Sequence, residues 1–164
     1  MVRAGLQTRA ADRGEFETAI SPLLEAGFRL AVSLSPDRAE AEDVLQEATL
    51  RAWRGWGQLR ERSSLRAWYL RIVANQCRTA RRRRWASVLR MERPPTGISM
   101  ADPEELADLR AALRRLAPGE RAVLVLHYLL DMPLTEVATV LGLGPAGAKS
   151  RLYRGLEKLR KEMA

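Results

Sequence analysis

Apolar residues recur at helical spacing from Glu15 onward, with Phe16, Ala19, Ile20, Leu23, Leu24 and Phe28 on one face. Residues 1 to about 14 show no sustained period and are expected to fray. Pro22 falls inside the first pattern, where it is expected to mark a first turn or a kink. Ser35-Pro36-Asp37 stops that helix and supplies an N-cap for a second, from about Asp37 to Trp53. Its inward residues are Ala41, Val44, Leu45, Ala48 and Ala52, and Gly55 and Gly57 around Trp56 break it. After a cap at Ser63 or Ser64, a third helix puts apolar residues at 65, 68, 69, 72, 73, 76/77 and 80. It ends in Arg81-Arg82-Arg83-Arg84-Trp85.

The stretch Arg93-Pro94-Pro95-Thr96-Gly97-Ile98-Ser99 has the composition of a linker. Pro103 opens the next helix at its first position, and Leu106, Leu109, Ala112, Leu113 and Leu116 continue it. Ala117-Pro118-Gly119 restarts the chain into an apolar helix, Glu120 to Leu130. Asp131-Met132-Pro133 then leads to a short helix from Leu134 to Leu141. Gly142-Leu143-Gly144 is a tight turn, and Pro145 starts a last helix reaching about Glu162. No stretch of useful length alternates with the period of two that a half-buried strand needs. The expected fold is all-α, with two small helical bundle domains joined by a flexible linker. The domains are expected over 15–92 and 104–162, with the linker over 93–103.

Composition narrows the function. The 164 residues are 46% hydrophobic and 29% charged, as in a folded protein of one domain or two small ones. A single cysteine, Cys77, excludes an internal disulfide framework and any Cys-rich zinc site. A single histidine, His127, leaves no His-cluster metal site and almost no room for Ser–His–Asp or Cys–His catalysis. With no phosphate-binding Gly loop either, the expectation is a protein that is not an enzyme and carries no cofactor or metal. The longest apolar run, Ala122 to Leu130, is far short of a membrane span. The first thirty residues have no apolar core of the kind a signal peptide needs, so a cytoplasmic location is expected.

Charge is unevenly placed. The chain carries +8, and of its 28 basic residues only Lys149, Lys158 and Lys161 are not arginine. Nine arginines against one acid fall between Ser63 and Arg93, and six basic residues against two acidic ones between Pro145 and Ala164. Conversely, Asp37 to Glu47 holds five acids and one arginine, and Asp102 to Asp108 holds four acids. Two basic and two acidic blocks point to at least two partners of opposite charge.

Three segments carry candidate chemistry. Leu134 to Arg154 reads as a helix-turn-helix, with Ala138 small at the crossing and Val137, Leu141, Leu143 and Ala148 filling the wedge. Ala148, Leu152, Leu156 and Leu159 form the inward stripe of its last helix, leaving Lys149, Ser150, Tyr153 and Arg154 outward and Arg151 at the boundary. The plainer reading is a helical hairpin with a solvated basic face. On the helix from Ser64 to Trp85, Trp68, Tyr69, Ile72 and Val73 anchor an arginine face of Arg66, Arg71, Arg78 and Arg81 to Arg84. Basic groups beside aromatic ones suit partly single-stranded nucleic acid, although a solvated arginine tail is the plainer account. Asn75 is polar inside that helix and either faces solvent or holds a loop. Asp43, Gln46 and Glu47 share one exposed side of the second helix, a face that repels DNA and suits a basic protein, or is simply solvated. Cys77 reads as a core thiol and His127 as a packed histidine.

In this order, the segments 41–53 (AEDVLQEATLRAW), 64–84 (SLRAWYLRIVANQCRTARRRR) and 113–160 resemble the extracytoplasmic-function (ECF) sigma factors, small sigma subunits of bacterial RNA polymerase. The resemblance covers about residues 15 to 162. It implies that Asp43, Gln46 and Glu47 bind the clamp helices of the largest subunit of core RNA polymerase. It places Gly55 to Ser64, with Trp56, in a loop that captures an unstacked base of the minus-ten element. Asn75, Arg78, Arg81 and Arg82 match the helix that reads and melts that element. Lys149, Ser150, Arg151, Tyr153 and Arg154 match the helix that reads the minus-thirty-five element, and Arg121 a position touching DNA backbone. Promoter DNA and core polymerase are thus the implied partners, and an anti-sigma factor a further one. Gly147-Ala148 stands where the family usually has Thr-Val, and Thr79 where it often has Asp. No further C-terminal domain is expected after Ala164.

Other functions fit less of the chain. A stand-alone helix-turn-helix regulator, with 15–92 as a sensing or dimerisation bundle, accounts for the C-terminal block alone. An adaptor working only through protein contacts leaves both basic blocks without a use.

Overall fold

Burial of Phe16, Ile20, Leu30 and Ala31 organises the first helix of the computed structural model, α1 (Val2–Leu34). The structure describes residues 2–88 and 107–163, with side chains from 12 to 87 and from 107 to 163. Residues 2–14, expected to fray, are helical and continuous with the rest of α1. An i,i+4 ion pair, Arg13 to Glu17 at 2.8 Å, ties that extension to the packed part. Pro22 neither starts nor ends the helix. Buried residues lie on both sides of it, Phe16 and Ile20 before and Leu30 and Ala31 after, so tertiary packing carries α1 across the missing hydrogen bond.

Asp37 caps α2 (Arg38–Gly55) as expected: its backbone is extended and its carboxylate accepts the Glu40 N–H at 2.8 Å. Two 3₁₀ turns, Trp56–Gln58 and Arg62–Ser64, lead into α3 (Leu65–Val88). These three helices form one bundle. At its tightest point a Cβ on Gly27 would lie 2.9 Å from Tyr69 Cε1 and 3.0 Å from Leu45 Cδ1, so three helices converge on a glycine. Tyr69 is fully buried, and its hydroxyl pairs with Thr49 Oγ1 at 2.9 Å; burial pushes its ionisation up.

Residues 89–106 lie outside the described residues, and with them the expected 93–103 linker and the Pro103 helix start. The second bundle comprises α4 (Ala107–Arg115), α5 (Pro118–Leu124), α6 (Leu134–Leu141) and α7 (Pro145–Glu162). Between α5 and α6 the expected α-helix widens into a π turn, Val125–Leu129, where Leu130 N bonds Val125 O at 2.9 Å. The extra residue lets Leu126, Leu130 and Met132 all point inward, leaving Tyr128 and Leu129 outside. His127 is half-buried and bonds Met132 O through Nδ1, which agrees with a packed histidine. Gly142 takes φ 65° and stops α6, and Gly155 lets α7 close on Leu124. Buried Glu120 holds Lys158 Nζ at 2.9 Å through both oxygens.

The bundles also touch each other. α3 packs on α6, and α1 on α5 and the π turn. Arg66 donates to Leu130 O, and Arg121 Nη1 donates to Ser33 O at 2.9 Å. The described residues contain no strand, which agrees with an all-α fold of two bundles.

Three measurements follow from this packing. Gly27→Val should lower stability by about 2 kcal/mol or more in urea unfolding, because Tyr69 and Leu45 leave no room. Gly147→Ala should raise it by up to ~1 kcal/mol, since a Cβ there meets only Leu143 Cβ at 3.9 Å. Burial pushes the Cys77 thiol up to about 12, with the Glu40 carboxylate adding to the shift. The folded chain should therefore keep that thiol protonated and resist iodoacetamide at pH 8, while the unfolded chain reacts. The sign follows: the unfolded thiol ionises near 9 and the folded one near 12, so this group's contribution to stability is lost as pH rises through that window.

Candidate nucleic-acid interface

The helix-turn-helix forms as its sequence pattern predicts. Ala138, Val137 and Leu141 of α6 and Ala148 and Leu152 of α7 are buried in the wedge between the two helices. Lys149, Ser150, Tyr153 and Arg154 consequently line the exposed side of α7, with Lys149 Nζ 5.9 Å from the Tyr153 ring centre. Arg151 is half-buried and turned toward α5: a Cβ on Gly119 would lie 2.7 Å from its Nη1. The structure thus groups four of the five expected α7 residues on one face and sends Arg151 to another.

On α3 the buried residues Tyr69, Leu70, Val73, Ala74 and Cys77 fix the helix, with Trp68 and Ile72 half-buried beside them. Asn75, Arg78 and Arg82 are exposed and Arg81 is half-buried. Asn75 Oδ1 accepts from Arg78 Nη1 at 3.3 Å, and Thr79 Oγ1 donates to Asn75 O at 3.0 Å. Two arginines expected to face outward do otherwise. Arg84 grips Glu40 of α2 through both carboxylate oxygens, and Arg66 reaches the Leu130 carbonyl of the other bundle.

Trp56 is the inward member of its loop. Expected in a loop that receives a base, it is only 5% exposed. Its ring meets Phe16 edge-on at 5.2 Å, and the Arg62 guanidinium lies over it at 3.5 Å. An indole has too much apolar surface to leave in water when a core is at hand, so it pins the loop rather than presenting a platform. Gly57, Gln58, Arg60, Glu61, Arg62, Ser63 and Ser64 are the exposed members of that loop.

Arg121 is occupied by backbone in this structure. Rather than facing outward, its Nη1 donates to Ser33 O, and its Nη2 to Arg114 O at 2.7 Å and Leu116 O at 3.0 Å. It thereby satisfies carbonyls at the C-terminal ends of α1 and α4, where helices leave acceptors unpaired. Burial, then the positive charges of Arg114 and Arg81, pulls its pKa below the ordinary arginine value.

Asp43 and Gln46 are exposed on α2. Glu47, beside them, takes Arg51 Nε at 2.8 Å, and that hydrogen bond holds its carboxyl below the usual range. Gln46 also borders a feature that the sequence pattern did not disclose. A groove of ≈ 920 Å³ runs between α1 and α2, lined by Leu24, Leu45, Leu50 and Trp53 among others. Leu50 is 50% exposed there. The available signal was a leucine out of phase with the inward stripe Val44, Leu45, Ala48 and Ala52.

The distribution of ion pairs separates the basic residues into two sets. Arg13, Arg29, Arg38, Arg51, Arg62, Arg84, Arg115, Lys158 and Lys161 each hold a carboxylate. Among the described residues, Arg54, Arg60, Arg66, Arg71, Arg78, Arg81, Arg82, Arg83, Arg114, Arg121, Lys149, Arg151, Arg154 and Arg160 hold none. The second set includes Arg78, Arg81, Arg82, Arg121, Lys149, Arg151 and Arg154, which the family resemblance assigns to DNA, alongside others such as Arg54, Arg71 and Arg160 that it does not.

Comparison with known proteins fits this arrangement. Residues 20–87 match the family described as Sigma-70 region 2, and residues 106–159 match Sigma-70, region 4. The RNA polymerase sigma-E factor of Streptomyces coelicolor is 32% identical over 157 residues, covering 91% of this chain and 86% of that protein. The ECF RNA polymerase sigma factor SigG of Mycobacterium tuberculosis is 32% identical over 187 residues, covering 90% of this chain and 48% of its own length. The sigma factor RpoE of Bartonella quintana, solved with the anti-sigma factor NepR, superposes with TM-score 0.80 at 25% identity, over 91% of this chain and 96% of that one.

Replacing the three-carbonyl contact is the direct check on the corrected role of Arg121. Arg121→Ala should cost about 2–4 kcal/mol in urea unfolding, since charge-assisted hydrogen bonds are lost and buried carbonyls are left bare. Arg121→Lys should recover only part of that, because a single ammonium cannot fork between two elements.

Proposed function

The chain belongs to the extracytoplasmic-function (ECF) sigma factors of the sigma-70 family, and from that premise we propose how its surfaces divide the work of transcription initiation. A sigma factor binds core RNA polymerase and promoter DNA and starts transcription at a particular set of promoters. It is not an enzyme: the bond chemistry belongs to the polymerase.

The observation that carries the residue assignment is that, on the faces of α3 and α7 matching the family's DNA-reading helices, the assigned basic groups are left without carboxylates. A guanidinium already neutralised by Glu or Asp gains little from phosphate, whereas an unpaired one gains a charge-assisted contact and releases counterions. We assign Lys149, Ser150, Tyr153 and Arg154 on the exposed face of α7 to the minus-thirty-five element, with Arg151 at its edge. Asn75, Arg78, Arg81 and Arg82 on α3 are assigned to the minus-ten element. Arg121 keeps a place in this set only once the bundles part, because here its guanidinium is occupied by backbone carbonyls. The loop from Gly55 to Ser64 is supported from beneath by Trp56 and offers its other residues to a flipped base.

Asp43, Gln46 and Glu47 are assigned to the clamp helices of the largest polymerase subunit. Their acidic face is displaced from the arginine face of α3, and the Leu50 groove beside Gln46 gives a docking helix apolar surface to cover. In this division, region 2 spans 15–92, the linker 93–103 and region 4 104–162. The work belongs in the cytoplasm with the polymerase, and no described helix is long and apolar enough to cross a membrane. An anti-sigma factor is included among the partners.

Core polymerase has a geometric task in this scheme. Arg78, Arg81 and Arg151 line one cleft between the bundles. Elements named for positions thirty-five and ten lie about 25 base pairs apart, ~85 Å along the duplex. One closed chain cannot reach both, so core must hold the bundles apart, and each bound element then raises the effective concentration of the other.

Run-off transcription with bacterial core polymerase and fragmented genomic DNA from the source organism tests the assignment. Discrete transcripts should require the protein. Asp43→Arg should abolish them together with binding to core. Arg154→Ala should keep core binding and weaken promoter use by about tenfold, the size of one good base or phosphate contact. Tight duplex binding without any affinity for core would instead mark a stand-alone regulator.

A further inference from the structure

Where the two bundles meet, α3, α5, α6 and α7 enclose a cleft of ≈ 410 Å³. Three guanidiniums line it: Arg78 and Arg81 from the first bundle and Arg151 from the second. None of its lining residues is acidic. Among the described residues, none of these arginines holds a carboxylate; Arg78 has only the Asn75 amide oxygen. A fourth guanidinium, Arg121, stands near enough for Arg81 to depress its ionisation.

Arg121 does not line the cleft, but its guanidinium crosses between the bundles to Ser33 O and leaves its buried Nε without a hydrogen bond. Buried donors and like charges brought together are costly unless something of opposite charge satisfies them. No described side chain does so. The cleft has the size of a small-molecule site and is far too small for a duplex.

We propose that this interdomain cleft is a binding site for a small polyphosphate anion, which the arginines of both bundles share when the chain is closed. Arg78 and Arg81 approach it from one side and Arg151 from the other, so only the closed arrangement offers all three forks at once. A ligand that needs both sides binds the closed form more tightly and shifts the population toward it. It also occupies Arg78 and Arg81 of α3 and Arg151 of α7. The site itself rests on this geometry alone and stands whether or not those arginines read promoter DNA.

Isothermal titration of the full chain with inorganic tripolyphosphate at low salt tests the site. One-to-one saturable binding is expected, weakened about tenfold or more by Arg81→Ala and by Arg151→Ala. Arg71→Ala, which removes an exposed arginine of α3 outside the cleft, should leave it unchanged. Arg151→Lys keeps the charge without the fork and should bind with intermediate strength. Ligand-free melting of each variant shows whether it folds, and small-angle scattering with and without tripolyphosphate reads the expected compaction. Absence of saturable binding would overturn the proposal. So would several equivalents bound, or equal weakening by Arg71→Ala, either of which marks a generic polycation.

Discussion

A guanidinium already held by a carboxylate gains less from phosphate, and this chain leaves many of its basic groups out of such pairs. With 25 arginines and 3 lysines against 20 acids, the chain could have neutralised most of its charge internally. Instead its carboxylates go to one set of cations, largely i,i+4 pairs such as Arg13–Glu17, Arg38–Glu42 and Arg51–Glu47. The unpaired set has to be positioned by other means. Apolar anchors do it on α3, where Tyr69, Leu70 and Val73 are fully buried. On α7 the same task falls to Ala148 and Leu152.

Backbone carbonyls supply the remaining restraint, and they connect fold to function. Arg121 and Arg66 cross between the bundles to Ser33 O and Leu130 O, joining them without consuming an acid. The cost is that arginines from both bundles converge on one cleft with no compensating charge. Packing of α3 on α6 and of α1 on α5 closes the chain together with these hydrogen bonds, and the like charges in the cleft oppose that closure. The Bartonella sigma factor superposes on this fold with TM-score 0.80.

Much of this was legible in the sequence because it rests on local rules. Asp37, Gly142 and Pro145 set helix boundaries through capping and backbone preference, and the structure puts α2, α6 and α7 within two residues of where the pattern puts them. The outward row Lys149, Ser150, Tyr153 and Arg154 follows from helical period alone. What escaped is non-local. Trp56 looked like an exposed loop aromatic because its partner Phe16 lies forty residues away in the chain. Arg121 looked outward because the acceptors that bind it are carbonyls, which carry no sequence signature. The π turn at 125–129 was likewise decided by packing, which turns Leu126, Leu130 and Met132 inward. Family resemblance added what periodicity cannot: which exposed face meets which partner.

The most direct measurement of the central claim is the salt dependence of promoter binding by the assembled holoenzyme, compared between one unpaired and one paired arginine. Each phosphate contact contributes about 0.9 to the slope of log K against log salt. Removing Arg82, exposed and without a carboxylate, should reduce that slope by about one. Removing Arg38, which Glu42 already neutralises at 2.7 Å, should leave it unchanged. Equal slopes for both variants, or a loss only with Arg38→Ala, would contradict the view that unpaired cations are the ones this chain keeps for DNA.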